Sequence, residues 1–180
     1  VKKIAKPLAE VSMPTEKKVK DVMIPLEDYP HIPYWFTLRQ AMAIIRETAL
    51  KFEGYMPRSV LVFDEKYQLL GLLTLRDIIK GLEPRFLKET ELIKADPSLL
   101  LLTRELFAPG IKEASQKTTV GEVMSPIKVT VDADDSLAKA LFLMIKENVG
   151  MMPVMKENKV VGMVRLSDLF KVISDFVLGE

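Results

Sequence analysis

The chain has 180 residues, enough for one domain or two small ones, and carries 26 Lys and Arg against 25 Asp and Glu for a formal net charge of +1. That balance argues against a nucleic-acid binder, which shows a basic stripe, and the lack of any cysteine excludes disulfides, thiolate nucleophiles and Cys-based metal sites. Hydrophobic residues make up 48%, ample for a core and a pointer to self-association. No run of about 18 apolar residues could span a bilayer, and the lysines near the start lack the apolar stretch of a secretory signal. The sequence thus reads as soluble and cytoplasmic, with no membrane partner. It opens on Val rather than Met, as a processed chain or a fragment would.

In chain order, Val1 to Lys18 mixes Lys, Pro and small apolar residues without a sustained period. It is expected to be an irregular lead-in that packs through Ile4, Leu8 and Val11. Asp21 to Met23 makes a short turn stopped by Pro25. Pro30 and Pro33 limit Leu26 to Phe36 to a short or edge strand. His31, the single histidine, has no carboxylate or hydroxyl in a recognisable arrangement and reads as a loop residue, not a base. Thr37 to Phe52 is an amphipathic helix with Leu38, Ala41, Met42, Ile45, Ala49 and Phe52 on one face. Thr37 and Gln40 form its capping box, and Gly54 and Pro57 end it. A strand from Arg58 to Asp64, a turn from Glu65 to Gln68, a strand from Leu69 to Thr74 and a helix from Arg76 to Leu82 follow. In the middle segment, Pro84 opens a helix through Phe86, Leu87, Leu92 and Ile93. Asp96-Pro97-Ser98 opens another, which carries Leu99 to Leu102, Leu106 and Phe107 and is stopped by Pro109-Gly110. Four consecutive leucines cannot share one helix face, so this helix is buried on several sides or meets another chain.

Further on, Ile127 to Val131 reads as a strand and Asp132 to Asp135 as an acidic turn. The turn has too few oxygen ligands at calcium-loop spacing and serves the N-terminus of the next helix. Ser136 caps that helix, with Leu137, Ala140, Leu141, Met144 and Ile145 on one face. Met152 to Lys156 and Lys159 to Arg165 form a hairpin over Glu157-Asn158. The helix from Leu166 to Leu178 carries Leu169, Phe170, Ile173 and Phe176 at core spacing.

Two stretches are copies. Gly71 to Asp77 reads G-L-L-T-L-R-D, and Gly162 to Asp168 reads G-M-V-R-L-S-D. In each, an apolar strand ends in a polar residue, and an Asp stands three residues later in the first turn of a helix. Apolar residues follow at helical spacing, Ile78, Ile79 and Leu82 in one copy and Leu169, Phe170 and Ile173 in the other. Free N–H groups and the positive dipole end lie there, where a phosphate-bearing ligand could be held; a capped helix alone is the plainer alternative. The flanks repeat as well: Val19 to Pro25 matches Val120 to Pro126, Thr37 to Ala41 matches Ser136 to Ala140, and Val60 to Asp64 matches Met152 to Lys156. The chain is a tandem duplication.

V-x-[DE]-V-M-x-P followed by a strand–helix–strand–strand–helix order and G-h-h-T-x-x-D, found twice, resembles the cystathionine-β-synthase (CBS) domain, and the pair resembles a Bateman module. The resemblance implies an α+β (mixed α/β) fold of two repeats, each a small three-stranded sheet with flanking helices, packed sheet against sheet with pseudo-two-fold symmetry. The boundaries are a lead-in over residues 1–18, a first CBS domain over 19–82, a helical linker over 83–118 and a second CBS domain over 119–180. The family holds adenosine-type ligands (AMP, ADP, ATP, NAD or S-adenosylmethionine) in two clefts. Its motif Asp accepts from the ribose hydroxyls, here Asp77 and Asp168, and its motif Thr or Ser faces ribose or phosphate, here Thr74 but Arg165 in the second copy. Carried over by position, the first cleft is Arg58, Ser59, Leu61, Thr74, Arg76 and Asp77. The second is Ile127, Lys128, Gly150, Met151, Pro153, Arg165 and Asp168. The family often has Pro where Leu61 stands, and the Pro-rich stretch before Thr37 is longer than usual.

The function implied is a regulatory module that senses an adenine nucleotide and acts on its own assembly or on a partner, expected to be another protein or a further segment. A homodimer is expected, with Leu99 to Phe107 contributing. The competing reading is a ligand-independent dimerisation scaffold. No enzyme is expected, because nucleophile–base pairs, metal clusters and Gly-rich phosphate loops are missing from the sequence.

Overall fold

The computed structural model describes residues 17–51, 57–83 and 104–179. The readings for residues 1–16, Phe52, Gly54, the helix opened by Pro84 and the leucine run Leu99 to Leu102 lie outside them. Two compact units are present. One, called here the Asp77 unit, is Pro30–Ile127; the other, the Asp168 unit, joins Val1–Tyr29 to Lys128–Glu180.

The Asp77 unit holds β2 (His31–Pro33), β3 (Ser59–Phe63), β4 (Leu69–Thr74) and β5 (Ser125–Pro126) in the order β2-β3-β4-β5. Its helices are α1 (Leu38–Lys51), α2 (Leu75–Gly81), α3 (Arg104–Lys117) and α4 (Val120–Val123). The Asp168 unit holds β1 (Ile24–Pro25), β6 (Val131–Asp132), β7 (Met151–Lys156) and β8 (Lys159–Arg165) in the order β1-β8-β7-β6. Its helices are α5 (Leu137–Glu147) and α6 (Leu166–Leu178), with 3-10 turns at Val19–Asp21 and Leu26–Asp28. The mixed α+β class expected from the sequence is the class found.

Each sheet has four strands rather than three, because each V-x-[DE]-V-M-x-P segment adds a strand to the unit built from the other repeat. β5 pairs antiparallel with β4, with Gly71 opposite Pro126 and Leu72 opposite Ser125. β1 pairs with β8 in the same way, with Pro25 opposite Gly162 and Ile24 opposite Met163. Prolines fit here because both strands are edges, where one N–H has no ladder partner to serve. The first valine of each segment is fully buried, Val120 in the core of the Asp77 unit and Val19 in that of the Asp168 unit. The backbone seats match as well. Val120 N–H donates to the Phe36 carbonyl at 2.7 Å and Gly121 N–H to Tyr34 at 2.8 Å. Val19 N–H donates to Asp135 and Lys20 N–H to Ala133, both at 2.9 Å. The Asp168 unit adds ion pairs of Lys18 and Lys20 with Asp134 and of Lys139 with Asp135. The hydrogen bond and charge of Lys20 hold Asp134 below its ordinary value, and the Lys139 hydrogen bond does the same to Asp135.

Several expectations are corrected. Residues 127–130 form no strand, because pairing is made by Ser125–Pro126 on one side and Val131–Asp132 on the other. α3 runs through Pro109 and Gly110. A proline inside a helix forfeits one N–H bond, yet beyond it Ile111 packs on the core and Ser115 is buried. The Thr118 carbonyl, just past the end, accepts from Leu38 N–H at 3.0 Å, so tertiary packing carries the helix on. His31 lies in a strand, not a loop, with Tyr67 Oη 2.8 Å from its Nε2. Met42, Ile79, Ile145, Phe170 and Phe176, assigned to core faces, are exposed. The buried stripe is narrow: Leu137, Ala140 and Met144 fill it on α5, and Ile145 stands about 100° further round. Ile79 beside Ile78 and Phe170 beside Leu169 repeat this.

The hairpin between β7 and β8 turns at Glu157 and Asn158, both with left-handed backbone, as a tight two-residue turn requires. The Thr37–Gln40 capping box forms, with Thr37 N–H donating to Gln40 Oε1 at 2.9 Å and Gln40 N–H to Thr37 Oγ1 at 3.3 Å.

The added strands depend on close approach at two glycines. A Cβ on Gly71 would stand 2.6 Å from the Ser125 carbonyl oxygen and 3.1 Å from Met124 Sδ; one on Gly162 would meet the Ile24 carbonyl oxygen and, at 3.0 Å, Met23 Sδ. Gly150 has open space. We therefore expect Gly71→Ala to destabilise the protein by about 1–3 kcal/mol in urea denaturation, while Gly150→Ala stays within about 0.5 kcal/mol of the parent. Equal stability for the two variants would contradict the tight seat at Gly71.

Candidate functional site

Both motif turns form as a strand that passes into a helix. In the Asp77 unit, Ser59 pairs with Thr74 across β3 and β4, and the Arg58 carbonyl accepts from Leu75 N–H at 3.3 Å. Thr74 caps α2: its Oγ1 accepts from Asp77 N–H at 3.2 Å, and Asp77 Oδ2 accepts in return from Thr74 N–H at 2.9 Å and Thr74 Oγ1–H at 2.6 Å. This is a reciprocal capping box. Ser125 Oγ–H donates to the other oxygen, Asp77 Oδ1, at 3.1 Å. Asp77 is half-buried and still in reach of solvent, and Arg58 and Arg76 are exposed.

Ser59 and Leu61, also assigned to this site, are fully buried. Leu61 lies opposite Leu72 and donates its N–H to the Pro30 carbonyl at 3.0 Å. Its side chain belongs to the interior in this conformation, so the surface at this end is made by Arg58, Thr74, Arg76 and Asp77.

In the Asp168 unit the frame is the same. Met151 pairs with Arg165, and the Gly150 carbonyl accepts from Leu166 N–H at 2.8 Å, as Arg58 does from Leu75. The chemistry differs. Arg165 N–H donates to Asp168 Oδ2 at 3.0 Å, and the guanidinium turns onto the same carboxylate. Nε lies 2.9 Å from Oδ2 and 3.2 Å from Oδ1, and Nη2 lies 2.6 Å from Oδ1. The pair is mostly shielded, with the Arg165 side chain 23% and the Asp168 side chain 16% exposed. A fork of this kind occupies both carboxylate oxygens. Pro153 is buried, opposite Met163, and Lys128 is exposed. Ile127 ends the Asp77 unit, so the set assigned to the second site is divided between units at the Ile127–Lys128 bond.

The two turns therefore present different surfaces from one backbone plan. In one, a carboxylate sits among two hydroxyls; in the other, a carboxylate is neutralised by its own arginine. A shallow groove of about 260 Å³ lined by Arg39, Met42, Leu82, Ile111, Lys112 and Ser115 lies apart from these residues, along α1 and α3. Among the described residues no group of three or more His, Cys, Asp or Glu could hold a metal ion, and no helix is long and apolar enough to cross a membrane.

A family model described as the CBS domain matches residues 19–84 and 120–175, more than half of the chain. The chain belongs to the CBS-domain family. As a tandem CBS pair it has relatives of several kinds. An uncharacterized protein of Methanocaldococcus jannaschii is 28% identical over 102 residues, which cover 56% of this chain and 34% of the relative, so the match spans about a third of that protein. The CBS domain of the bacterial CNNM/CorC family Mg2+ transporter, solved in complex with ATP, matches with a TM-score of 0.64 and 19% identity. That alignment covers 93% of this chain and 91% of the other. The cytosolic domain of the Mg2+ channel MgtE, also in complex with ATP, gives 0.59 and 23% identity over 87% of this chain and 49% of its own. At these identities the likeness concerns the CBS-pair fold.

Sequence reasoning missed Ser125 as a member of the site. The signal was present, as the variable position of V-x-[DE]-V-M-x-P, but nothing in the sequence placed it beside Asp77.

Proposed function

We propose that this CBS pair is a regulatory module that binds an adenosine nucleotide of the AMP, ADP or ATP type at the Thr74–Asp77 turn and transmits occupancy to a partner protein. CBS pairs are generally regulatory, and two with this fold were solved with ATP. The observation that carries the reading is the contrast between the two carboxylates. Asp77 keeps an acceptor position on Oδ1, and the same turn carries the exposed Arg58 and Arg76, cations that suit phosphate, whereas the carboxylate of Asp168 is taken by Arg165. The nucleotide module is thus single-sited, with Arg165 as a plug. NAD and S-adenosylmethionine share the adenosine part and are the next ligands in line, and a cytoplasmic setting follows from a nucleotide ligand of this kind.

Calorimetry tests this directly. ATP or AMP should bind the parent protein at one site. Asp77→Ala should weaken it by about 10- to 100-fold, the loss of charge-assisted hydrogen bonds worth roughly 1.5–3 kcal/mol, and Arg165→Thr should add a second, weaker site. Two equal sites in the parent, unaffected by either substitution, would defeat the reading.

A second reading, a dimerisation scaffold, is favoured by one observation. Phe142 and Ile145 on α5 and Leu166 and Phe170 on α6 are 62%, 70%, 42% and 69% exposed on adjacent helices. A second copy of the chain is the occupant that this surface suits, and the two readings are compatible. Light scattering at tens of micromolar should report a dimer that Phe142→Glu with Phe170→Glu converts to monomer; a monomeric parent protein would remove the surface from the account.

A further inference from the structure

The Thr74–Asp77 site has a third member, supplied from the opening segment of the second repeat. Ser125 lies on β5 opposite Leu72, and its hydroxyl donates to Asp77 Oδ1 at 3.1 Å. The other oxygen, Oδ2, already accepts from Thr74 N–H at 2.9 Å and Thr74 Oγ1–H at 2.6 Å. A carboxylate offers about four acceptor positions. Three are filled by protein donors, and the one that remains is on Oδ1, the oxygen that Ser125 holds.

This arrangement constrains what can be recognised. With donors on both oxygens the carboxylate plane is fixed before a ligand arrives, and the vacant acceptor direction is fixed with it. Ser125 itself is positioned by the pairing of its backbone. Its strand is seated on Gly71 and Leu72, where the missing Cβ of Gly71 lets the Ser125 carbonyl come close. The Asp168 unit provides an internal control. There the residue at the matching position of β1 is Ile24, opposite Met163, which has no donor to give, and Arg165 grips the carboxylate instead. The hydroxyl occurs only beside the carboxylate that keeps an acceptor vacant.

We propose that Ser125 is a specificity-determining positioning residue, one that aims the remaining acceptor of the Asp77 carboxylate at a ribose hydroxyl and so makes the segment Thr119 to Pro126 part of the nucleotide site. This deepens the nucleotide reading given above and rests on it. Ser125 acts through Asp77; the base and the phosphates of the ligand are recognised elsewhere.

The test compares ATP with 2′,3′-dideoxy-ATP by calorimetry on the full chain in four forms: parent, Ser125→Ala, Ser125→Thr and Asp77→Ala. The parent should prefer ATP by tenfold or more, and Asp77→Ala should abolish that preference. Ser125→Ala should cut the preference about fivefold, the scale of one hydrogen bond, through weaker ATP binding with dideoxy-ATP unchanged. Ser125→Thr, which keeps a hydroxyl, should restore it, which a merely structural role for Ser125 would not require. Full preference in Ser125→Ala, with Asp77→Ala still defective, overturns the assignment of Ser125 and leaves the nucleotide reading standing. No binding of either nucleotide to the parent, or no effect of Asp77→Ala, overturns both.

Discussion

The structure depends on two close backbone approaches, Gly71 against the Ser125 carbonyl and Gly162 against the Ile24 carbonyl. Each lets a two-residue strand add to the edge of a sheet whose other strands come from the opposite repeat. Two residues of pairing are too few to hold a strand alone. The seat is completed by a buried valine five residues upstream and by the motif methionine, whose sulfur lies against the same glycine. A valine and a methionine four residues apart and a glycine distant from both in the sequence thus form one contact set per unit. A side chain at either glycine would push the strand away, and the core valine would lose its place.

That exchange has a chemical consequence. Because β5 and β1 come from outside the repeats they complete, the residue each brings to the motif turn can differ without disturbing the turn. The Asp77 unit receives a serine and the Asp168 unit an isoleucine. The end of the return strand differs as well, Thr74 against Arg165. The backbone plan is kept, down to the carbonyl of the residue before the first hairpin strand accepting from the first N–H of the helix. The donor set around the carboxylate is not. Two hydroxyls leave an acceptor position on the Asp77 carboxylate, whereas a partly buried arginine fork consumes Asp168. Duplication supplied two equivalent turns, and substitutions around the carboxylate, Ser125 against Ile24 and Thr74 against Arg165 among them, made their surfaces inequivalent.

Much of this was legible in the residues because it is local. The helix from Thr37, the hairpin over Glu157-Asn158 and both motif turns follow from capping chemistry, periodicity and turn residues acting within a few positions. The duplication gave the mixed α+β fold and the family. What was not legible is what depends on distant parts of the chain. Ile127 to Val131 alternates apolar and polar residues as a strand does, yet within it only Val131 finds a pairing partner, opposite Val154. Pro109-Gly110 has the composition of a helix stop, but docking of Ile111 and Ser115 carries α3 through. Ile145 and Phe170 look like core residues by type, and only the width of the buried stripe shows that they face outward. Ser125 escaped for the same reason, since its partner is a carboxylate in the other repeat.

The central claim is that one motif carboxylate is open to a nucleotide and the other is closed by its own arginine. A crystal structure of the full chain grown with ATP examines it most directly. The account predicts ribose oxygens within hydrogen-bond distance of Asp77 and an intact Arg165–Asp168 pair in the same molecule. A ribose on Asp168 with Arg165 displaced, or nucleotide bound away from both carboxylates, would contradict it.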